Sequence, residues 1–148
     1  PHLKGKDIET TRKACEKYRH KPVSVMNFVE GTRFTAEKHD RQQSPFNQLL
    51  KPKAGGTAFV LGSMRESLHK IIDVTIYYPD GIPTFWQLLC GDIGKIVVRV
   101  NQLPIEPQMI GDYDVDKEYR KNMQHYLNSL WTDKDKLLDQ LKQQNSDW

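Results

Sequence analysis

The chain has 148 residues, of which 37% are apolar and 28% charged, so it holds one moderate core and is not a disordered or low-complexity polymer. No run of about 18 apolar residues occurs, which excludes a membrane-crossing helix within these residues, and two cysteines, Cys15 and Cys90, make neither a disulfide framework nor a zinc site and fit a reducing, cytosolic setting. The net charge of +3 conceals a gradient, since residues 1–53 carry twelve Lys/Arg against six Asp/Glu and residues 106–148 carry six against nine, so anions are attracted to the N-terminal part.

Asp7 can cap a helix whose Ile8, Thr11, Cys15 and Tyr18 share a face, ending near His20 because Pro22 disfavours helical geometry before it. Residues 23–29, VSVMNFV, are rich in β-formers and predict a buried strand that runs into Glu30-Gly31-Thr32-Arg33. The polar stretch from Phe34 to Pro52 predicts a long surface loop. A helix follows over 55–68, with Ala58, Leu61, Met64 and Leu68 on one side, and then a strand over 71–78. Strand, helix and strand in this order imply a parallel pairing with the helix as crossover. Turn chemistry at Pro79-Asp80-Gly81-Ile82-Pro83 precedes a short helix over Thr84 to Cys90, and 95–101 predicts a third strand. Val115, Tyr119, Met123, Tyr126 and Leu130, continued by Leu137, Leu138 and Leu141, predict one long or two short amphipathic helices, with a possible new cap at Thr132 or Asp133. The fold expected is α/β, a mostly parallel open sheet with covering helices and a C-terminal helical segment.

Chemistry concentrates where the first predicted strand ends. A glycine turn there places an acid and an arginine at the carboxyl end of a strand, where open α/β sheets bind ligands. The planar fork of Arg33 fits a phosphate in bidentate fashion, Glu30 can hold that fork in orientation, and Gly31 keeps the turn tight. The same spacing also suits an ordinary surface ion pair, because a Glu-Gly-x-Arg run is short.

Residues 28–35, FVEGTRFT, resemble the Phe-Pro-Glu-Gly-Thr-Arg block of the glycerol-phosphate and lysophosphatidic acid acyltransferase family. The likeness continues through LLKPKAGGTAFVL, KIIDVTIYYP, KIVVRVNQLPIE and WTDKDKLLDQL, and so covers nearly the whole chain in order, closest to the long-chain branch with its bacterial relatives. It implies that residues 1–105 are the C-terminal portion of an acyltransferase α/β domain and 106–148 a helical extension of it. The implied activity is that of a 1-acylglycerol-3-phosphate O-acyltransferase, moving an acyl group from acyl-CoA or acyl carrier protein to lysophosphatidic acid or a related lysophospholipid. Glu30, Gly31, Thr32, Arg33 and Lys53 are the implied substrate-binding residues, with no bound cofactor and no metal. The resemblance also implies a membrane-associated parent facing the cytoplasm, in which a lipid surface, and not nucleic acid, is the partner.

The family's His-x4-Asp box, whose histidine is the general base, precedes this block and has no counterpart in residues 1–27, where His2 and His20 lack an aspartate five positions on. The expectation is therefore a chain cut ahead of Pro1, without a catalytic residue, inactive alone and with apolar surface left open. Val29 and Asp73 stand where prolines are common in the family, which bears on the branch. Lys51 and Lys53, ahead of Gly55-Gly56, fit either an anion site or a solvated basic loop. Asp73 in an apolar strand calls for a buried lysine or backbone donor. Phe85-Trp86 with Leu88-Leu89 suit either a bilayer interface or a cover for the sheet. His39, His69 and His125 show no ligand spacing. The rival reading is a non-enzymatic module that binds an anionic membrane or nucleic acid, although no nucleic-acid motif supports it.

Overall fold

The computed structural model describes Lys13, Lys17, Tyr18 and residues 23–145, and those first three residues are helical. The rest of the helix expected over Asp7 to His20 lies outside the described residues. Helix α1 is Ala36–Gln42, α2 Ala54–Met64, strand β1 Lys70–Tyr77, α3 Phe85–Cys90, β2 Val97–Pro104, then a 3-10 turn Pro107–Met109 and the long helix α4, Lys117–Gln144.

The core lies between α2 and α4. On α2, Ala54, Ala58, Leu61 and Met64 recur at four, three and three, and all are buried. On α4, Tyr119, Met123, Leu127, Trp131, Leu138 and Leu141 form the matching stripe, and Phe46 and Met109 close the ends. Each such side chain contributes about 1.5–3 kcal/mol by leaving water. Close approach of the layers depends on Gly62, where a Cβ would stand 2.5 Å from the Gly111 carbonyl oxygen. Tyr119 completes the contact by donating its hydroxyl to the Met109 carbonyl at 2.8 Å. α4 begins at Asp116, whose carboxylate accepts from the amides of Glu118 and Tyr119, and runs unbroken past Thr132 and Asp133. Its stripe continues in phase there, so no new cap is needed.

The fold is mixed α/β, but the mostly parallel open sheet is not what forms. β1 and β2 make a two-stranded antiparallel ladder, with Lys70 opposite Pro104 and Tyr77 opposite Val97. A parallel return would need a crossover as long as the strand, about 24 Å for eight residues. α3, with six residues, spans only about 9 Å and packs against no other element among the described residues, so the chain doubles back. The expected strand over 23–29 joins no ladder, and it is not buried: Met26 and Phe28 are largely exposed, and only Val23 and Val29 are half covered. α2 is consequently not a crossover.

The ladder has two dissimilar faces. Ile71, Asp73 and Thr75 face α4, where the Lys134 ammonium donates to Asp73 Oδ1 at 2.6 Å, Thr75 Oγ1 at 2.8 Å and the Val74 carbonyl at 3.1 Å. Of the two partners expected for Asp73, a backbone donor or a lysine, it is a lysine, carried by α4. Ile72, Val74, Ile76, Val98 and Val100 lie on the opposite face, exposed and without a charge among them. No helix of the described residues is long and apolar enough to cross a membrane.

Candidate functional site

The Glu30 to Arg33 turn is held by contacts on both sides. The Gly31 amide donates to the Phe28 carbonyl at 2.9 Å, with Gly31 at φ +70°, a conformation that glycine adopts without the steric cost of a Cβ. The Lys53 amide donates to the Val29 carbonyl at 2.9 Å, and Asn27 Nδ2 donates to Thr57 Oγ1 at 2.7 Å. Both bonds pin the turn to the start of α2.

Three cationic side chains belong to this turn. A Cβ on Gly31 would stand 3.3 Å from Lys53 Nζ, so the Lys53 ammonium lies over the turn. Lys38 reaches back from α1 to donate to Thr32 Oγ1 at 2.8 Å and to the Arg33 carbonyl at 3.1 Å. Arg33 is exposed, and among the described residues no carboxylate pairs with its guanidinium. Gly31, Thr32, Arg33 and Lys53 are therefore brought together, with Lys38 added. Lys38 lies within residues 34–52, where the sequence predicts a loop, and so does not stand out as a site residue there. The signal was present: Thr35 caps α1 by accepting from the Lys38 amide, and Glu37 stands in the first turn. The helix stops at Gln43 in a left-handed conformation, φ 48°, where sequence rules look for glycine or asparagine.

Glu30 does not hold the Arg33 fork. Its carboxylate accepts from Trp131 Nε1 at 3.2 Å and from the Leu50 amide, which fixes the start of the turn to α4. Burial pushes its pKa up, opposed by the Trp131 and Leu50 hydrogen bonds and by the charge of Lys134. The one acid of the block is thereby turned inward, and Arg33 is left exposed with no ion pair to a carboxylate among the described residues.

α4 positions the remaining loop as well. Asp135 accepts from the amides of Asn47 and Gln48 at 2.7 and 2.9 Å, and Gln124 Nε2 donates to the Pro52 carbonyl at 2.9 Å. His39 makes a structural contact, with Nε2 2.6 Å from the Phe46 carbonyl oxygen, and that hydrogen bond raises its pKa. Lys51 is exposed and lines an open groove with Gln124, Asp135, Lys136 and Asp139, apart from the turn. No cluster of three His, Cys, Asp or Glu suited to a metal occurs among the described residues.

An exposed arginine with two lysines around a glycine turn, its acid withdrawn, concentrates positive charge on one turn. The chain is similar to a 2-acyl-1-lysophosphatidylinositol acyltransferase of Saccharomyces cerevisiae, 21% identical over 138 residues. The likeness covers 81% of this chain and 33% of the yeast protein, so the chain spans about a third of the length of the curated relative it matches. No family model matches, and no solved structure matches. The likeness to the yeast protein is distant, and it points the same way as the family resemblance read from residues 28–35.

Proposed function

We propose that the chain is the acceptor-binding part of a lysophospholipid acyltransferase, and that Arg33, Lys38 and Lys53 hold the acceptor's phosphate. The observation that carries this reading is an exposed Arg33, with no ion pair to a carboxylate among the described residues, on a turn that the Lys38 and Lys53 ammoniums also reach, with Glu30 tied back to Trp131. A bidentate guanidinium contact fixes the direction of a phosphate, while the ammoniums add charge with little directional demand. Gly31 and Thr32 shape the turn. Three cations suit a phosphomonoester dianion best, which favours lysophosphatidic acid over the inositol phosphodiester named for the yeast relative.

In the reaction, the acceptor's free hydroxyl oxygen attacks the thioester carbonyl of acyl-CoA or acyl carrier protein. The new C–O ester bond forms, the C–S bond breaks, the thiol leaves, and the hydroxyl proton passes to a general base. The family resemblance assigns that base to a histidine ahead of the block, outside residues 28–33. Phosphate binding here contributes by orienting the hydroxyl, which is how binding at a remote group lowers a barrier. We expect these 148 residues alone to release no coenzyme A from acyl-CoA and lysophosphatidic acid; turnover above background would show that the base lies within them.

The binding role is testable without turnover. Titration with glycerol 3-phosphate, followed by amide NMR, should shift residues 31–33, Lys38 and Lys53 together and leave Lys136 and Asp139 unmoved. Glycerol should shift none of them. A response confined to the groove beside Lys51, or equal for both compounds, would remove the phosphate site from this turn.

A further inference from the structure

Glu30 and Arg33 belong to one turn, and their side chains are long enough to meet across it. An ionised pair there would occupy the guanidinium fork that a phosphate needs, so the acid of the block is the nearest competitor for the site. The fold holds it elsewhere. Glu30 is half-buried, and its carboxylate accepts from Trp131 Nε1 at 3.2 Å and from the Leu50 amide. Arg33, by contrast, points its exposed side chain at no carboxylate among the described residues.

Both donors to Glu30 are fixed by the core and not by the turn. Trp131 packs with Phe46, Ala58 and Leu127 in the layer between α2 and α4, and Leu50 is fully buried. Both donors are also uncharged. Lys134, whose charge reaches Glu30, holds its ammonium over the Trp131 ring, 5.6 Å from the centroid, and directs its N–H groups to Asp73, Thr75 and the Val74 carbonyl. The indole N–H is therefore the one side-chain donor to Glu30 among the described residues. An indole nitrogen donates and does not accept, so it holds a carboxylate at any pH, and phenylalanine fills the same core without holding it.

We propose that Trp131 is a positioning residue for the phosphate site: its indole N–H withholds the Glu30 carboxylate from Arg33, so that the guanidinium fork stays open to an anion. The inference rests on the assignment of the acceptor's phosphate to Arg33. Trp131→Phe keeps an aromatic ring and removes the donor. In the whole chain, glycerol 3-phosphate should bind this variant roughly two- to fivefold more weakly than wild type, the range that a competing exposed ion pair commands. Adding Glu30→Gln should restore the affinity, because glutamine brings no charge to compete. A merely structural Trp131 gives the opposite result, since the double variant has lost both ends of the tether and should bind no better than the single one. Trp86→Phe is the control and should bind as wild type does. Should Trp131→Phe lose the native circular dichroism spectrum, β-(3-benzothienyl)alanine at position 131 keeps the ring shape with sulfur in place of the N–H. A second readout needs no phosphate: the pH titration of the Glu30 carboxyl carbon followed by NMR. Arg33→Gln should leave that titration unmoved in wild type and raise it in Trp131→Phe, because only there does the acid meet the guanidinium. Wild type without affinity for glycerol 3-phosphate would remove the phosphate from this turn, and the carboxyl titration would still decide where Glu30 is held. The role of Trp131 is overturned by wild-type affinity in Trp131→Phe, by no recovery with Glu30→Gln, or by a Glu30 titration that answers to Arg33→Gln equally with and without the indole.

Discussion

At the scale of single residues, Glu30 shows how one contact changes the meaning of a motif. From sequence it was the orienting partner of Arg33; in the fold it is a half-buried acceptor for Trp131 and Leu50, about a hundred positions and twenty positions away. Periodicity reports which residues are apolar, but it does not report which distant indole a carboxylate meets. Because burial raises the Glu30 pKa, the folded state binds its proton more tightly than the unfolded state does. The associated stability is present below the ordinary glutamate value, about 4.3, and is lost as pH rises through the raised folded value. Glu30→Gln keeps an acceptor for Trp131 and does not ionise, so urea unfolding of the variant should show a flatter pH profile across that window. A wild-type profile that rises with pH there, with the variant unchanged, would contradict the buried position. Lys38 offers a second residue-scale result: Lys38→Ala should weaken glycerol 3-phosphate binding several-fold and Lys38→Arg should restore part of it, as read by the same amide titration, because the contact to Thr32 and Arg33 is electrostatic.

Among the elements, α4 is the scaffold of the site. Gln124, Trp131, Lys134 and Asp135 on its inner face hold, in turn, Pro52, Glu30, β1 and the loop at residues 47–48. The buried Lys134 to Asp73 pair is the most costly of these to break, since removing one partner leaves a charge out of water. Asp73→Ala should lower stability by about 3–5 kcal/mol in chemical denaturation, and the double change Asp73→Ala with Lys134→Met should recover much of it. A loss under about 1 kcal/mol would mean the pair is solvated. Gly62→Ala is the packing counterpart: the Gly111 carbonyl must move, at about 1–3 kcal/mol. The helices α2 and α4 and the strands β1 and β2 were legible because their apolar periods are long and regular. Pairing sense was not, because it depends on whether the connection packs across the sheet, and α3 is too short to do so. α1 was hidden by its polarity: none of its residues is buried, so it lacks the stripe on which helix recognition rests.

For the molecule as a whole, stability is concentrated in one place. The α2 and α4 layers share the core, whereas the far half of the β ladder and α3 meet little else. Hydrogen exchange should therefore be slowest at residues such as Met123, Leu127 and Leu61 and fastest from Tyr77 through Val97, with the ladder end nearest Lys134 between them. Uniform protection would contradict a single core. The candidate site sits on the stable part, tied to α4 through Trp131 and to α2 through Lys53, which suits a site that must hold a phosphate in one orientation. Glu30, Gly31, Thr32 and Arg33 were legible in the sequence because they fall within one recognisable block, but grouping them with Lys53 and Lys38 needed the fold. The central claim is that Arg33 clamps the acceptor's phosphate. Its most direct test is kcat/KM for lysophosphatidic acid in a form of the protein that turns over. A charge-assisted hydrogen bond contributes about 1.5–3 kcal/mol, so Arg33→Ala should lower kcat/KM by roughly ten- to a hundredfold, with partial rescue by Arg33→Lys and near wild-type behaviour of Arg41→Ala. An unchanged kcat/KM for folded Arg33→Ala, or equal losses for Arg33→Ala and Arg41→Ala, would contradict the clamp.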